Sequence, residues 1–170
     1  ASYAAQERMV QLLLDNGADV HTQGGYYGNA LQAASLMGNE RIVRLLLYNG
    51  ADVHTQCGHY GNALQAASFN GHEKTVLLLS DKGADIKTQG GEHGNALPAA
   101  AFFNHGRIIQ LLLDNGAEVN APGGRYGNAL QVASLKGYEK AVQLLLDKGA
   151  DINAQGGTYG NALFAASATG

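Results

Sequence analysis

The chain has few of the features that mark secreted, nucleic-acid-binding or membrane proteins. Its 170 residues contain one cysteine, Cys57, so no internal disulfide framework can form. The 11 basic and 14 acidic residues give a net charge of -3, which supplies no basic surface for a phosphate backbone or an anionic membrane. Apolar runs such as Leu45-Leu46-Leu47 are far shorter than the roughly 20 residues of a membrane-spanning helix. We therefore expect no nucleic-acid or membrane partner, and a cytoplasmic location.

What the chain does have is repetition. The string Gly-Asn-Ala-Leu occurs five times, and 33 residues separate each copy from the next. A fixed period of this length indicates a solenoid, in which each unit buries its apolar face against its neighbours. The period divides the chain into four full repeats and a partial repeat at each end: 1–23, 24–56, 57–89, 90–122, 123–155 and 156–170. The register starts the chain inside a first helix and ends it before a second one, so we expect end-to-end self-contacts through open termini.

Each full repeat predicts two antiparallel helices and a loop. In the first one, small helix-favouring residues from Asn29 to Met37 indicate one helix, and helical spacing of apolar residues from Asn39 to Tyr48 indicates another. Gly50 follows as a left-handed helix stop. The stretch up to Gly61 is rich in Gly, Thr and Gln and predicts a protruding hairpin. The predicted fold is all-α: a solenoid of stacked antiparallel helix pairs with protruding hairpin loops.

The start of each first helix carries a capping signal. Asn29 and Gln32 have the spacing at which the first side chain caps an amide and the second returns a bond. The third and fifth copies have Pro98 and Phe164 in place of the glutamine, and we expect them to lose only the return bond. Since the first helices are lined by alanine, they can pack closely, and we expect an array whose concave side carries the first helices and loop tips.

The repeat resembles the ankyrin repeat. The 33-residue period and the closing string from Leu45 to Val53 carry this resemblance, which covers the whole chain and implies a protein-binding array. The family's usual Thr-Pro-Leu-His is replaced by Asn29-Ala30-Leu31-Gln32, so the usual Thr and His hydrogen bonds should be absent. With the preceding Gly-Gly-x-Tyr-Gly, this variant resembles the arrays of filamentous-fungal NACHT-type receptors, including heterokaryon-incompatibility proteins.

Positions that differ between copies are the candidate partner-binding residues, because geometry does not fix them. One register lies at the loop tips: Tyr26, His59, Glu92, Arg125 and Thr158. The next register holds Tyr27, Tyr60, His93, Tyr126 and Tyr159. Positions at the ends of the first helices add Met37, Phe69, Asn70, Phe102, Phe103, Leu135 and Lys136. With the register of His72 and His105, these residues predict a concave groove of aromatic anchors and changeable polar tips.

Two alternatives stay open for the aromatic residues. Tyr27 and its equivalents either contact a partner or pack each loop against the next unit. Phe102 and Phe103 either contact a partner or do not, and exposed aromatic side chains without a partner would be costly in solubility. The loop-tip register is the stronger candidate, since its five copies carry five different side chains.

Patterns of catalysis and cofactor binding are weak. The six histidines fall in several registers, without zinc-site spacing to a cysteine or carboxylate. Gly24-Gly25 and its equivalents lack the Lys-Ser/Thr of a phosphate loop. Asp114 and Glu118 lie around a helix stop rather than in a pocket. We therefore predict no catalytic residues, no metal and no cofactor.

The sequence predicts a non-catalytic protein-recognition module, the ligand-sensing segment of a larger intracellular receptor concerned with non-self recognition. One alternative is a structural scaffold or spacer fused to another domain. Another is an engineered consensus-like array, which Cys57, Ser80 and the irregular stretch 102–106 argue against.

Overall fold

The computed structural model describes residues 2–168, in which all regular secondary structure is helical. Residues 1 and 169–170, at the ends of the two partial repeats, lie outside the described residues. The helices are α1 Ser2–Asp15, α2 Ala30–Leu36, α3 Glu40–Tyr48, α4 Ala63–Phe69, α5 Glu73–Asp81, α6 Ala96–Phe102, α7 Gly106–Asp114, α8 Ala129–Leu135, α9 Glu139–Asp147 and α10 Ala162–Ser167. The predicted all-α fold of stacked helix pairs is confirmed.

Two layers of helices make up the stack. The first helices of successive repeats, α2, α4, α6, α8 and α10, pack extensively on one another. The second helices, α3, α5, α7 and α9, pack on the first helix of their own repeat and touch one another at few points. Leucines recur at equivalent buried positions between the layers: Leu31, Leu64, Leu97 and Leu130 on the first helices, and Leu46, Leu79, Leu112 and Leu145 on the second. None of the helices within residues 2–168 combines the length and apolar character of a membrane span.

The N-terminal partial repeat differs from the others. Its register places the start of the chain inside a first helix. α1 runs without interruption over the positions that form the helix end, turn and second helix elsewhere. Ala5 explains this, because it stands where later repeats have Gly38, Gly71 and Gly137 in the left-handed conformation. Alanine disfavours that conformation and favours continuing the helix.

The predicted caps are confirmed at three of the first helices. Asn29 caps Gln32, whose side chain accepts a bond from the Asn29 amide in return, and α4 and α8 have the same capping box. In α10, Asn161 caps Phe164 without the return bond, as expected. The prediction for α6 was wrong in one respect: Pro98 has no amide hydrogen, so Asn95 accepts instead from the amide of Leu97 at 3.0 Å.

The irregular stretch between α6 and α7 keeps the standard turn. Asn104 stands where other repeats have glycine, and it adopts the same left-handed conformation with φ of 60°. Asparagine tolerates this conformation better than other side chains do. The next helix therefore begins at the equivalent position of its repeat, and α7 has the same length as α3, α5 and α9.

Candidate functional site

The loop tips form a backbone ladder along the stack. Each loop is closed by one bridge, such as that between Gly24 and Gly28. At the tips, each amide donates to the carbonyl of the preceding tip: His59 to Tyr26 at 3.0 Å, Glu92 to His59 at 3.1 Å, Arg125 to Glu92 at 3.1 Å and Thr158 to Arg125 at 3.0 Å. The backbone of the variable register is therefore fixed by the neighbouring loops, while its side chains remain free to differ. The predicted hairpin loops are therefore held by this ladder and by one bridge in each loop.

Buried glutamines connect the loops to the helices. Gln32 Nε2 donates to Gly61 O at 2.8 Å and to Thr55 O at 3.3 Å, so its side chain joins one repeat to the next. Gln65 and Gln131 make the same pair of bonds in their repeats. Sequence reasoning assigned the glutamines only to capping, although their burial requires partners for all their polar atoms.

Aromatic and imidazole rings form a continuous surface across the loops and first-helix ends. We call it the aromatic surface, and its members are Tyr26, Tyr27, His59, Tyr60, Phe69, His93, Phe102, Phe103 and Tyr126. Neighbouring ring centres lie 4.7–6.3 Å apart. The structure thus brings together side chains from the loop-tip register, from the register of Tyr27 and from the ends of the first helices into one patch. Tyr26 and Phe103 are its most exposed members, at 57% and 47%.

The first part of the aromatic surface carries a close contact between a histidine and a carboxylate. His59 Nε2 lies 2.6 Å from Glu92 Oε2, and the His59 ring stacks on Tyr26 with centres 4.7 Å apart. Three successive members of the variable tip register therefore interact side by side. Burial raises the pKa of Tyr60 to about 12, and a hydrogen bond with Tyr26 adds to this shift. The Tyr60 hydroxyl consequently stays protonated and can donate.

The other end of the aromatic surface carries positive charge. Lys136 Nζ lies 4.0 Å from the centre of the Phe102 ring, and Arg125 Cζ lies 5.7 Å from the centre of the Tyr126 ring. Both are cation–π contacts, in which the ring face attracts the cation. Acidic and basic groups are thus placed at different points along the same patch of rings.

Two candidate residues are buried. Leu135 and His93 are 6% and 8% exposed, so little of either side chain is accessible at the surface. Burial lowers the pKa of His93 to about 4, so its ring is neutral at pH 7. Its Nδ1 atom is buried without a hydrogen-bond partner in the described structure.

His72 and His105 are half-buried and each makes a hydrogen bond to the preceding repeat. The Nε2 atoms of these rings donate to the carbonyls of Leu36 and Phe69, at 2.8 and 3.0 Å. Each histidine therefore satisfies an orphan carbonyl at the end of the preceding first helix. Their spacing of one repeat, at the N-cap of a second helix, was the available sequence signal.

The remaining candidates lie around the patch. Met37 is exposed at the end of α2. Asn70 donates to Leu36 O at 2.8 Å, and the Thr158 hydroxyl donates to Arg125 O at 2.9 Å. Tyr159 is half-buried in the last loop. The Tyr27 register shows the packing alternative in part, because Tyr60 contacts Phe69 within its own repeat and Tyr126 contacts Phe102 of the preceding repeat.

Other features of the described residues give weaker indications of a binding or catalytic site. An open cleft of about 800 Å³ lies away from the aromatic surface, between α3 and the following loop, with Arg41, Tyr48 and Lys82 on its rim. Among the described residues, no group of three His, Cys, Asp or Glu side chains could hold a metal ion. Burial raises the pKa of the Cys57 thiol, which donates to Gln32 Oε1 at 3.1 Å and is therefore not poised as a nucleophile.

Comparison with known proteins agrees with this architecture. The family model for ankyrin repeats in three copies matches residues 1–90 and 65–156. No curated protein matches the chain significantly. Because the matched residues cover most of its length, and because the helix pairs stack as the period requires, the chain belongs to the ankyrin repeat family.

Proposed function

We propose that this chain is a non-catalytic protein-recognition module that binds a protein or peptide on the aromatic surface. Ankyrin repeats are generally protein–protein interaction modules. The observation that carries the proposal is the loop-tip ladder: a fixed backbone displays a different side chain in each repeat, next to partly exposed rings. The neighbouring candidates Met37, Asn70, Thr158 and Tyr159 form the rim of this site.

The composition of the aromatic surface favours binding. Aromatic and arginine side chains supply most of the energy at protein interfaces, and exposed clusters of them are otherwise costly. The backbone ladder also reduces the entropy lost on binding, because the loops are already ordered. A scaffold or spacer needs neither exposed rings nor varied tips, so the two functions predict different consequences of substitution.

The array itself supplies conservative substitutions for the test. Tyr26, His59 and Arg125 are each replaced by Thr, the residue at the tip of the last loop, while Phe103 and Lys136 are each replaced by Asn, as at Asn70. We expect this five-site variant to lose ligands selected from a displayed peptide library on the native chain. Its helicity and melting temperature should change little, because every new residue already occurs in that register.

The control variant carries Arg44→Ala, Gln110→Ala and Gln143→Ala on the second helices. It should keep the selected ligands. Loss of binding by the control with retention by the five-site variant would place the site on the second-helix side. Equal binding by both variants and the native chain would contradict a binding site on the aromatic surface.

A second part of the proposal concerns the larger protein to which this chain belongs. We infer a ligand-sensing segment of a larger cytoplasmic receptor, like the NACHT-type receptors of filamentous fungi. The near-identical repeats and the loop motif before Asn29 support it. The test is to sequence the gene on both sides of the region encoding this chain. A phosphate-loop domain in the same reading frame is expected, and a reading frame without one would contradict the receptor assignment.

A further inference from the structure

Two cations on the aromatic surface have no carboxylate to pair with. Arg125 Cζ lies 5.7 Å from the centre of the Tyr126 ring, and Lys136 Nζ lies 4.0 Å from the centre of the Phe102 ring. The two ring centres are 5.4 Å apart, so the cations lie over neighbouring rings. Both side chains are exposed. Among residues 2–168, neither has a carboxylate oxygen within 4.0 Å.

Several other cations of the array do reach carboxylates in a neighbouring repeat. Arg41 lies 3.6 Å from Glu7, Arg107 lies 3.7 Å from Glu73, and Lys148 lies 2.9 Å from Asp114. The repeat period thus brings opposite charges together without difficulty elsewhere. The carboxylate in the tip next to Arg125 is Glu92, and it is held by His59 at 2.6 Å.

The unpaired cations therefore create a site for an anionic group. A carboxylate placed between them would form charge-assisted hydrogen bonds above an apolar floor of rings, where such bonds are stronger than in open water. Next to this floor, the ring of Phe103 lies 5.2 Å from Phe102 and is 47% exposed. The site offers contact for an apolar group beside the anion.

We propose that the ligand is an acidic peptide segment. Its aspartate or glutamate side chain binds between Arg125 and Lys136, and a neighbouring aromatic or large aliphatic side chain packs on Phe103. This inference rests on the proposed function and adds the chemistry of the ligand and its position. Rings with cations also suit single-stranded nucleic acid, but Glu92 on the same surface and the net charge of -3 oppose a polyanion.

The test uses peptides selected by the native chain from a random displayed library. We expect the selected sequences to combine an acidic residue with an adjacent aromatic or aliphatic residue. Replacing the acidic residue by its amide should weaken binding about 10- to 100-fold, the effect of losing a charged hydrogen bond. The variant Arg125→Thr with Lys136→Asn should show the same loss. The matched control, Arg107→Thr with Lys140→Asn, removes equal charge from the second helices and should bind normally.

The outcomes separate the two proposals. Peptides that require Phe103 but show no acidic preference would overturn the acidic-ligand proposal and leave the proposed function intact. Peptides whose binding is unchanged by Phe103→Asn and by the five-site variant would overturn both. Tighter binding of oligothymidine than of every selected peptide would also overturn both.

Discussion

Two junctions between repeats are fastened differently, although the same leucines and alanines pack across them. At the junction of 24–56 with 57–89, Gln32 donates to two carbonyls of the following loop. At the junction of 90–122 with 123–155, Pro98 replaces this glutamine, and Asn95 Nδ2 donates to Pro122 O at 3.0 Å. The loop bridge there also moves, to Gly124 and Gly127. The stack therefore tolerates a second way of ordering its loops, provided that the helix packing is kept.

The proline junction is also where the proposed ligand site lies. Phe102 and Phe103 end its first helix, and Arg125 and Lys136 come from the repeat that follows. Departures from a local rule commonly mark functional positions, because they are retained for another reason. The packed leucines and the hydrogen bonds between loops hold the array together. The rings and cations at the proline junction form the proposed ligand site.

Substitutions in the shared core should have the largest effect and be equal at both junctions. Leu79 and Leu112 occupy the same register and are 0% and 1% exposed. We expect Leu79→Ala and Leu112→Ala each to lower the free energy of unfolding by about 2–5 kcal/mol. Urea denaturation measures both values. A much smaller cost for Leu112→Ala would show that packing, too, is weakened at the proline junction.

Removing a glutamine bridge should cost less. Gln65→Ala leaves the Asn62 amide and the Thr88 carbonyl without a partner, and it removes one of the two bonds that the Gly94 carbonyl accepts. We expect a loss of about 1–3 kcal/mol, because unpaired buried groups are penalised. The control is Pro98→Ala at the other junction, which breaks no side-chain hydrogen bond and should cost less. Equal losses of unfolding free energy for Gln65→Ala and Pro98→Ala would contradict the bridging role of Gln65.

The pH dependence should depend on His93, which lies beside the proline junction. Its pKa is about 4 in the folded chain because of burial, and 6.5 is the ordinary value. The unfolded chain therefore binds the proton first, and stability should fall as pH decreases from about 6.5 to about 4. His93→Tyr, which copies the other four repeats, should flatten this part of the curve. Burial also lowers the pKa of His105, so this variant should still lose some stability as the pH decreases. An unchanged curve would contradict the assignment.

Restoring the glutamine should have the smallest effect and the opposite sign. Pro98→Gln recreates the sequence of the capping box at Asn95 and provides an amide near the carbonyls of the next loop. We expect a gain of about 1 kcal/mol, typical of an added cap. A loss on denaturation would show that the loop at 123–127 cannot accept the standard bridge.

The sequence predicted the fold well because its signals are local and repeated. The caps at Asn29 and Asn128 and the stop at Gly50 each depend on neighbouring residues only. An error arose where one substitution changed a local choice: Pro98 moves the Asn95 bond.

The candidate site was predicted less completely, because it depends on contacts between repeats. The variable tips were identified, but the roles of Gln32 and His72 require knowledge of which carbonyl lies opposite them one repeat away. The burial of Leu135 and the pairing of His59 with Glu92 likewise follow from three-dimensional packing rather than from register.

Amide hydrogen exchange with and without a selected acidic peptide tests the central claim most directly, because it locates the bound ligand on the folded chain. The aromatic surface predicts added protection in the loop tips at 91–94 and 124–127 and at the end of the first helix around Phe103. The second helices α3, α5, α7 and α9 should exchange as before. Protection gained on those helices, with the loop tips unchanged, would contradict the account.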